Sequence, residues 1–236
     1  NNGAADPSFT AADIATSADG AQSVFVADLD GDGDMDIVSA SVNDDAIAWY
    51  ENDGAADPSW TAADITTSAD GASDVFVADM DNDGDLDIVS ADRDDDTIAW
   101  YENNGAADPS FTAADIATSA DEAYGVFVSD VDKDGDMDII SASIEDDAIA
   151  IYINNGAADP SWSASDIATS ADNARSVFAA DLDNDGDIDI VSASKNDDAI
   201  AWYENTTSTA FTPTYTANTI STSAEGASYV FAADMD

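Results

Sequence analysis

The sequence predicts an all-β chain folded as a β-propeller of four-stranded antiparallel blades, and three observations predict it. A unit of 51 residues returns along the chain, marked by an acidic stretch that begins at Asp28, Asp79, Asp130 and Asp181. Each unit holds four short runs dominated by Val, Ile, Phe, Trp, Tyr and Thr and interrupted by Asn, Asp, Gly and Pro, which is the chemistry of strands and turns. No run has helical periodicity, and four strands repeated at about 40 to 50 residues are the signature of a propeller blade.

In the first unit the opening strand, Val24 to Asp28, is apolar on both faces, as are its counterparts Val75-Phe76-Val77-Ala78 and Val177-Phe178-Ala179-Ala180. That pattern suits a strand covered on both sides. The second strand, Asp36 to Ser41, is built of small residues, and the turn Val42 to Asp45 leads to a third, Ala46 to Glu51. Trp49, Trp100 and Trp202 fall on the third strand, where more volume must be filled. Small residues at one end and large ones further out fit a wedge, narrow at an axis and wide at a rim. The linker Asn52 to Ser59 precedes the fourth strand, Trp60 to Thr67.

Residues 1–236 read as a single propeller of four complete repeats with a partial repeat at each end. Phe9-Thr10-Ala11-Ala12-Asp13-Ile14 matches a fourth strand, Tyr229 to Asp234 matches a first strand, and Asp234-Met235-Asp236 begins a fifth acidic loop. The opening at Asn1, with neither methionine nor signal peptide, reads as a cut inside a longer polypeptide.

The acidic loop runs Asp28-Leu29-Asp30-Gly31-Asp32-Gly33-Asp34-Met35-Asp36 and feeds directly into Ile37-Val38. A hard cation such as calcium takes six to eight oxygens, commonly from carboxylates on alternate residues of a tight turn. Asp28, Asp30 and Asp32 supply positions 1, 3 and 5, and Gly33 at position 6 permits a turn with positive φ. Asp34 would offer its backbone carbonyl, and Asp36 would close the shell. The equivalent sets are Asp79, Asp81, Asp83, Asp85 and Asp87; Asp130, Asp132, Asp134, Asp136 and Asp138; and Asp181, Asp183, Asp185, Asp187 and Asp189. An EF-hand needs a glutamate at position 12, where Ser39 stands, so the loop is EF-like in its ligands alone. Five aspartates in nine residues, in four copies, would repel one another without a counter-ion, which argues against a merely solvated hairpin. Calcium is favoured over magnesium because an all-protein oxygen cage suits the larger ion, with about one ion per complete repeat, four in all.

Composition limits the alternatives. There are 52 acidic residues against Arg93, Lys133, Arg175 and Lys195, for a net charge of -48. Phosphate backbones and anionic lipid heads are repelled by such a chain, so neither nucleic acid nor membrane insertion is expected. With 44% apolar residues and aromatics at fixed places in the repeat, the charge does not signal disorder. The absence of Cys and His excludes disulfides, thiolate or His-ligated zinc and His-dependent triads.

Asp-x-Asp-x-Asp-Gly-x-x-Asp between two apolar strands, here Val26-Ala27-Asp28 through Asp36-Ile37-Val38, resembles the calcium loop of FG-GAP and VCBS repeats. Those repeats form the β-propeller head of integrin α chains and occur in many bacterial extracellular proteins. The resemblance covers nearly the whole chain and is nearer the bacterial VCBS type, because the Phe-Gly and Gly-Ala-Pro signatures are absent and Gly54-Ala55-Ala56-Asp57-Pro58 is only reminiscent of them. It implies structural calcium between the first and second strands of each blade, and an extracellular or cell-surface location.

The remaining irregularities have bland explanations. Ile151, in place of the tryptophan, reads as alternative core packing. Arg93 and Lys195 read as surface cations, and the stretch Thr206 to Asn218 as loop variation. The serines equivalent to Ser39 have no base beside them. The pairs Asp44-Asp45, Asp95-Asp96, Asp146-Asp147 and Asp197-Asp198 are turn formers rather than acid–base pairs. No catalytic residue is assigned and no enzyme activity is expected. The chain reads as a binding or adhesion module for a protein or glycan partner, with a non-catalytic accessory propeller of a secreted polysaccharide-acting enzyme as the alternative. Incomplete blade edges would also invite self-association.

Overall fold

The computed structural model describes residues 11–206 and 213–233. Among them are sixteen strands in four sheets of four, each sheet made of consecutive antiparallel neighbours. The first blade comprises β1 (Ala21–Ala27), β2 (Asp36–Ser41), β3 (Ala46–Asn52) and β4 (Trp60–Thr66). The second holds β5 (Ala72–Ala78), β6 (Asp87–Asp92), β7 (Thr97–Asn103) and β8 (Phe111–Ala117). The third holds β9 (Ala123–Ser129), β10 (Asp138–Ser143), β11 (Ala148–Asn154) and β12 (Trp162–Thr169). The fourth holds β13 (Ala174–Ala180), β14 (Asp189–Ser194), β15 (Ala199–Asn205) and β16 (Tyr215–Ser221).

In the first blade the second, third and fourth strands follow the sequence reading to within a residue, whereas the first begins at Ala21 rather than Val24; Asp-Gly and Asp-Asp turns end the apolar runs where a left-handed residue is needed. Asp45, Asp96, Asp147 and Asp198, the second members of the hairpin pairs, have φ of 55, 61, 54 and 54°. Their carboxylates accept the backbone N–H of Gly71, Glu122, Asn173 and Gly226 at 2.9–3.2 Å, so each turn also ties its blade to the segment entering the next inner strand. These pairs are structural, as expected.

Each blade has two apolar faces, and neighbouring blades pack face against face. Leu29, Val38, Ile47 and Trp49 of the first blade meet Val75, Val77, Ile88 and Tyr101 of the second. The same register of faces recurs between the second and third blades and between the third and fourth. Ile151 lies buried in the last of these cores, taking the tryptophan's place. Both faces of β5 and β9 are thereby covered, as their apolar sequence requires. On the first blade this coverage is missing: Val24 and Val26 are exposed, whereas the equivalent Val75 and Val77 are buried.

Two expectations at the ends are corrected. Residues 11–14 and 229–233 form no strand, although Phe231 packs on the Phe178 ring and the Val230 N–H donates to Ser176 Oγ at 3.2 Å. A strand exists only through its ladder, and neither segment has a ladder partner among the described residues. Phe9, Thr10, residues 207–212 of the long linker and the fifth loop start at Asp234 lie outside the described residues.

Candidate metal centre

Every acidic loop links the end of a blade's first strand to the start of its second. Two residues per loop take left-handed backbone. Gly33, Gly84, Gly135 and Gly186 at position 6 have φ of 97, 98, 100 and 95°, as the sequence predicts. Position 4 does the same in Gly31, Asn82, Lys133 and Asn184, at 61–73°, which the sequence reading did not anticipate. Short polar side chains tolerate this region, whereas Lys133 is an unusual occupant. Its ammonium pairs with Asp187 of the next loop at 2.5 Å, and Asn82 likewise donates to Asp136 at 2.6 Å.

The loop is wound by its own carboxylates. Asp28, Asp79, Asp130 and Asp181 accept the N–H of the position 6 glycine at 3.0–3.1 Å. Position 5 accepts the N–H of position 7 at 2.8–3.0 Å, from Asp32 to Asp34 through Asp185 to Asp187. Such turns aim several oxygens at a common centre.

Three carboxylates converge in each copy: Asp28, Asp30 and Asp32; Asp79, Asp81 and Asp87; Asp130, Asp132 and Asp138; Asp181, Asp183 and Asp189. Within a cluster one oxygen from each residue lies within 4.8 Å of the others. Position 5 joins the cluster in the first copy alone, since Asp83, Asp134 and Asp185 are not drawn into theirs, and position 9 takes that place in the other three. The position 7 side chain stays outside. Asp34, Asp85 and Asp136 instead lie against Gly54, Gly105 and Gly156 of the linker, where an added Cβ would fall about 2 Å from a carboxylate oxygen. Asp187 is held by Lys133.

Two observations in the first three clusters fit a divalent cation. Asp28 Oδ1, Asp79 Oδ1 and Asp132 Oδ2 are buried without a hydrogen-bond partner, an arrangement that costs free energy unless a cation meets it. Desolvation first, and then repulsion from the other loop carboxylates, raises the pKa of Asp30, Asp81 and Asp132 above the ordinary value. The all-oxygen donor set is that of calcium or magnesium.

Position 9 does more than face the cluster. Asp36, Asp87, Asp138 and Asp189 are fully buried. One oxygen accepts the N–H of loop position 2, from Leu29, Met80, Val131 or Leu182, at 2.9–3.1 Å. The other accepts, at 2.8 Å, the N–H of the asparagine ending the third strand: Asn52, Asn103, Asn154 or Asn205. Burial pushes Asp87 and Asp138 up to about 7.

Sequence reasoning missed these asparagines. Asn103 Nδ2 lies 3.0 Å from the Leu86 carbonyl of its own loop and 3.0 Å from the Leu29 carbonyl of the preceding blade's loop. Asn154 bridges Met137 and Met80 in the same way, and Asn205 bridges Ile188 and Val131. Successive loops are thus fastened together beside their clusters. The available signal was the recurrence of asparagine at the same place in all four units.

Comparison with known proteins agrees with this geometry. The FG-GAP-like repeat matches over residues 28–90, 79–141, 130–192 and 181–236. No curated protein matches. Among solved structures, the V. cholerae biofilm matrix protein Bap1 is similar at 22% identity and a TM-score of 0.50, covering 77% of this chain and 26% of that one. A protein from Lactobacillus plantarum is similar at 16% identity and a TM-score of 0.56, covering 84% of this chain and 55% of that one. The chain spans about a quarter and about half of these two proteins, and at such identities the likeness is one of fold.

Proposed function

Given that the chain belongs to the FG-GAP-like repeat family, we propose that it is a calcium-braced, non-catalytic binding module of the cell exterior, presenting a rigid β-propeller-like surface to a protein or glycan partner. The observation that carries this reading is the fourfold carboxylate cluster, three copies of which hold buried oxygens lacking a protein partner. Asp28, Asp30, Asp32 and Asp36 would hold the ion in the first loop, with the Asp34 carbonyl, and the equivalent residues would do so in the other three. The ion would supply charge neutralisation and a bracket between the first two strands of each blade. Four near-identical sites cannot by themselves confer selectivity for one partner, which supports a structural role for calcium. An exterior location is supported by the family and by the likeness to Bap1, a biofilm matrix protein. Among the described residues no helix is long and apolar enough to cross a membrane.

The test is thermal unfolding with calcium and with a chelator. An ion that binds only the folded state contributes about 2.7 kcal/mol per site at a hundredfold excess over Kd, so chelation is expected to lower Tm by many degrees. Calorimetric titration should count four ions, and three in the double variant Asp79→Asn, Asp81→Asn. An unchanged melt in chelator would sink the proposal.

A further inference from the structure

We propose that the end of the inner strands opposite the calcium loops is a binding site for a neutral, polyhydroxylated glycan residue; this rests on the binding-module reading and gives it a location and a ligand class. In each blade the pairing of the first two strands slips at one residue. Ala21 pairs with Ser41 and Ser23 with Ala40, leaving Gln22 unpaired. Ser73, Tyr124 and Arg175 are skipped in the same way in the next three blades. A bulge of this kind re-aims the extra side chain. The four inner strands lie side by side, so four re-aimed side chains converge on one mouth.

That mouth is where the repeat stops repeating. From the fourth residue onward the inner strands read Val-Phe-Val or Val-Phe-Ala, while the bulge residue and its successor read Gln22-Ser23, Ser73-Asp74, Tyr124-Gly125, Arg175-Ser176 and, in the next unit, Ser228-Tyr229. Five different pairs on an otherwise uniform scaffold make an asymmetric surface out of equivalent positions. Asymmetry is what the calcium loops lack and what selective recognition needs.

The side chains already form a connected polar site. The Gln22 amide donates to the Tyr124 hydroxyl two blades away. The Arg175 guanidinium lies 4.6 Å above the centre of the Tyr124 ring, and its Nε donates to Asn173 Oδ1 at 2.7 Å. Its two terminal nitrogens have no partner among the described residues. The Asp74 carboxylate accepts Ser23 Oγ at 2.6 Å and the Val126 N–H at 3.0 Å. An open hollow of about 290 Å³ lies at the mouth. Beneath it a second space of about 260 Å³ is floored by Phe25, Phe76, Phe127 and Phe178.

The chemistry selects the ligand. The charge presented at the mouth is the Arg175 guanidinium, so a cationic ligand would meet a like charge, and the net charge of -48 drives anions away at long range. A wholly apolar ligand would leave the Arg175 fork unmatched. A neutral sugar presents hydroxyl oxygens to the Arg175 fork and its C–H face to tyrosine and phenylalanine rings. The calcium loops lie at the far end of a seven-residue strand, about 20 Å away, so the ions do not touch the ligand.

The experiment uses the full chain, calcium-loaded, on an array carrying neutral hexose and N-acetylhexosamine oligosaccharides, uronate-containing oligosaccharides and peptides. Titration calorimetry of the retained glycan follows on wild type, Tyr124→Ala, Arg175→Gln and the hairpin control Lys195→Ala. Retention of neutral glycans is expected, with affinity reduced about tenfold or more in the first two variants and unchanged in the control, at unaltered Tm and calcium count. Should Tyr124→Ala lower Tm, the exposed Gln22→Ala takes its place. Undiminished affinity in the site variants, retention of uronates or peptides alone, or no retention by the folded, calcium-loaded chain would each overturn the site. The calcium-braced reading would survive all three, since it falls only with the chelator melt.

Discussion

Asn103 illustrates how one side chain joins two blades. Its amide reaches the carbonyls of Leu29 and Leu86 while its own N–H is held by Asp87. Removing the amide strands two buried acceptors, so Asn103→Ala is expected to cost about 1–3 kcal/mol in a denaturant melt, whereas the same change at Asn52, which reaches only the Met35 carbonyl, should cost less. Asp92 poses the opposite case. It stands where Ser41, Ser143 and Ser194 stand in the other blades, is fully buried, and has its Oδ1 unpaired. Burial first, and then the charges of Asp95, Asp115 and Asp70, push its pKa up to about 7. The folded state therefore holds this proton more tightly than the unfolded chain, and stability is lost as pH rises from about 4 to about 7. Asp92→Ser should raise stability at pH 8 by on the order of 1–3 kcal/mol and flatten that part of the profile. A variant whose pH profile still parallels wild type would show that Asp92 is not the group responsible.

At the scale of the element, the acidic loop and the bulged inner strand divide the work of each blade. Gly84 at loop position 6 has φ of 98° with nothing within 4 Å of a built Cβ, so Gly84→Ala tests backbone strain without a clash. The expected loss is about 1–3 kcal/mol together with weaker binding of one calcium in four, read by calorimetric titration. The loop was legible because its information is local: alternating carboxylates and a glycine at a fixed offset. The bulge was not. A skipped residue is defined by its partner strand, and the pattern Ala-Gln-Ser-Val shows no sign of which residue loses its pairing. Likewise the same aspartate repeat gives clusters drawn from positions 1, 3 and 5 in one loop and 1, 3 and 9 in the others, a difference that the local pattern does not carry.

Across the whole molecule, an arc of phenylalanines runs through the inner strands. Phe25, Phe76, Phe127, Phe178 and Phe231 stand with successive ring centres 4.7, 5.0, 4.7 and 4.8 Å apart, tilted or edge-on, as ring quadrupoles prefer. Against this cohesion stands a net charge of -48. Raising salt from about 0.01 M to about 1 M shortens the screening length from about 30 Å to about 3 Å, so the calcium-free chain should gain several degrees in Tm, and the calcium-loaded chain less. A calcium-free melt insensitive to salt would show that the charges are already compensated within the fold.

The repeat, the strand count, the turn positions and the carboxylate-rich character of the loop were all determined by the sequence itself, because each depends on contacts within a few residues or on side-chain alternation along one strand. What only the tertiary structure decided lies between units. Blade-to-blade packing puts Asn103 beside a carbonyl 74 positions earlier, gathers Gln22, Tyr124 and Arg175 at one mouth, and leaves Val24 exposed while burying Val75. Units of nearly the same sequence differ only in their neighbours, and a neighbour is a property of the folded chain rather than of the unit.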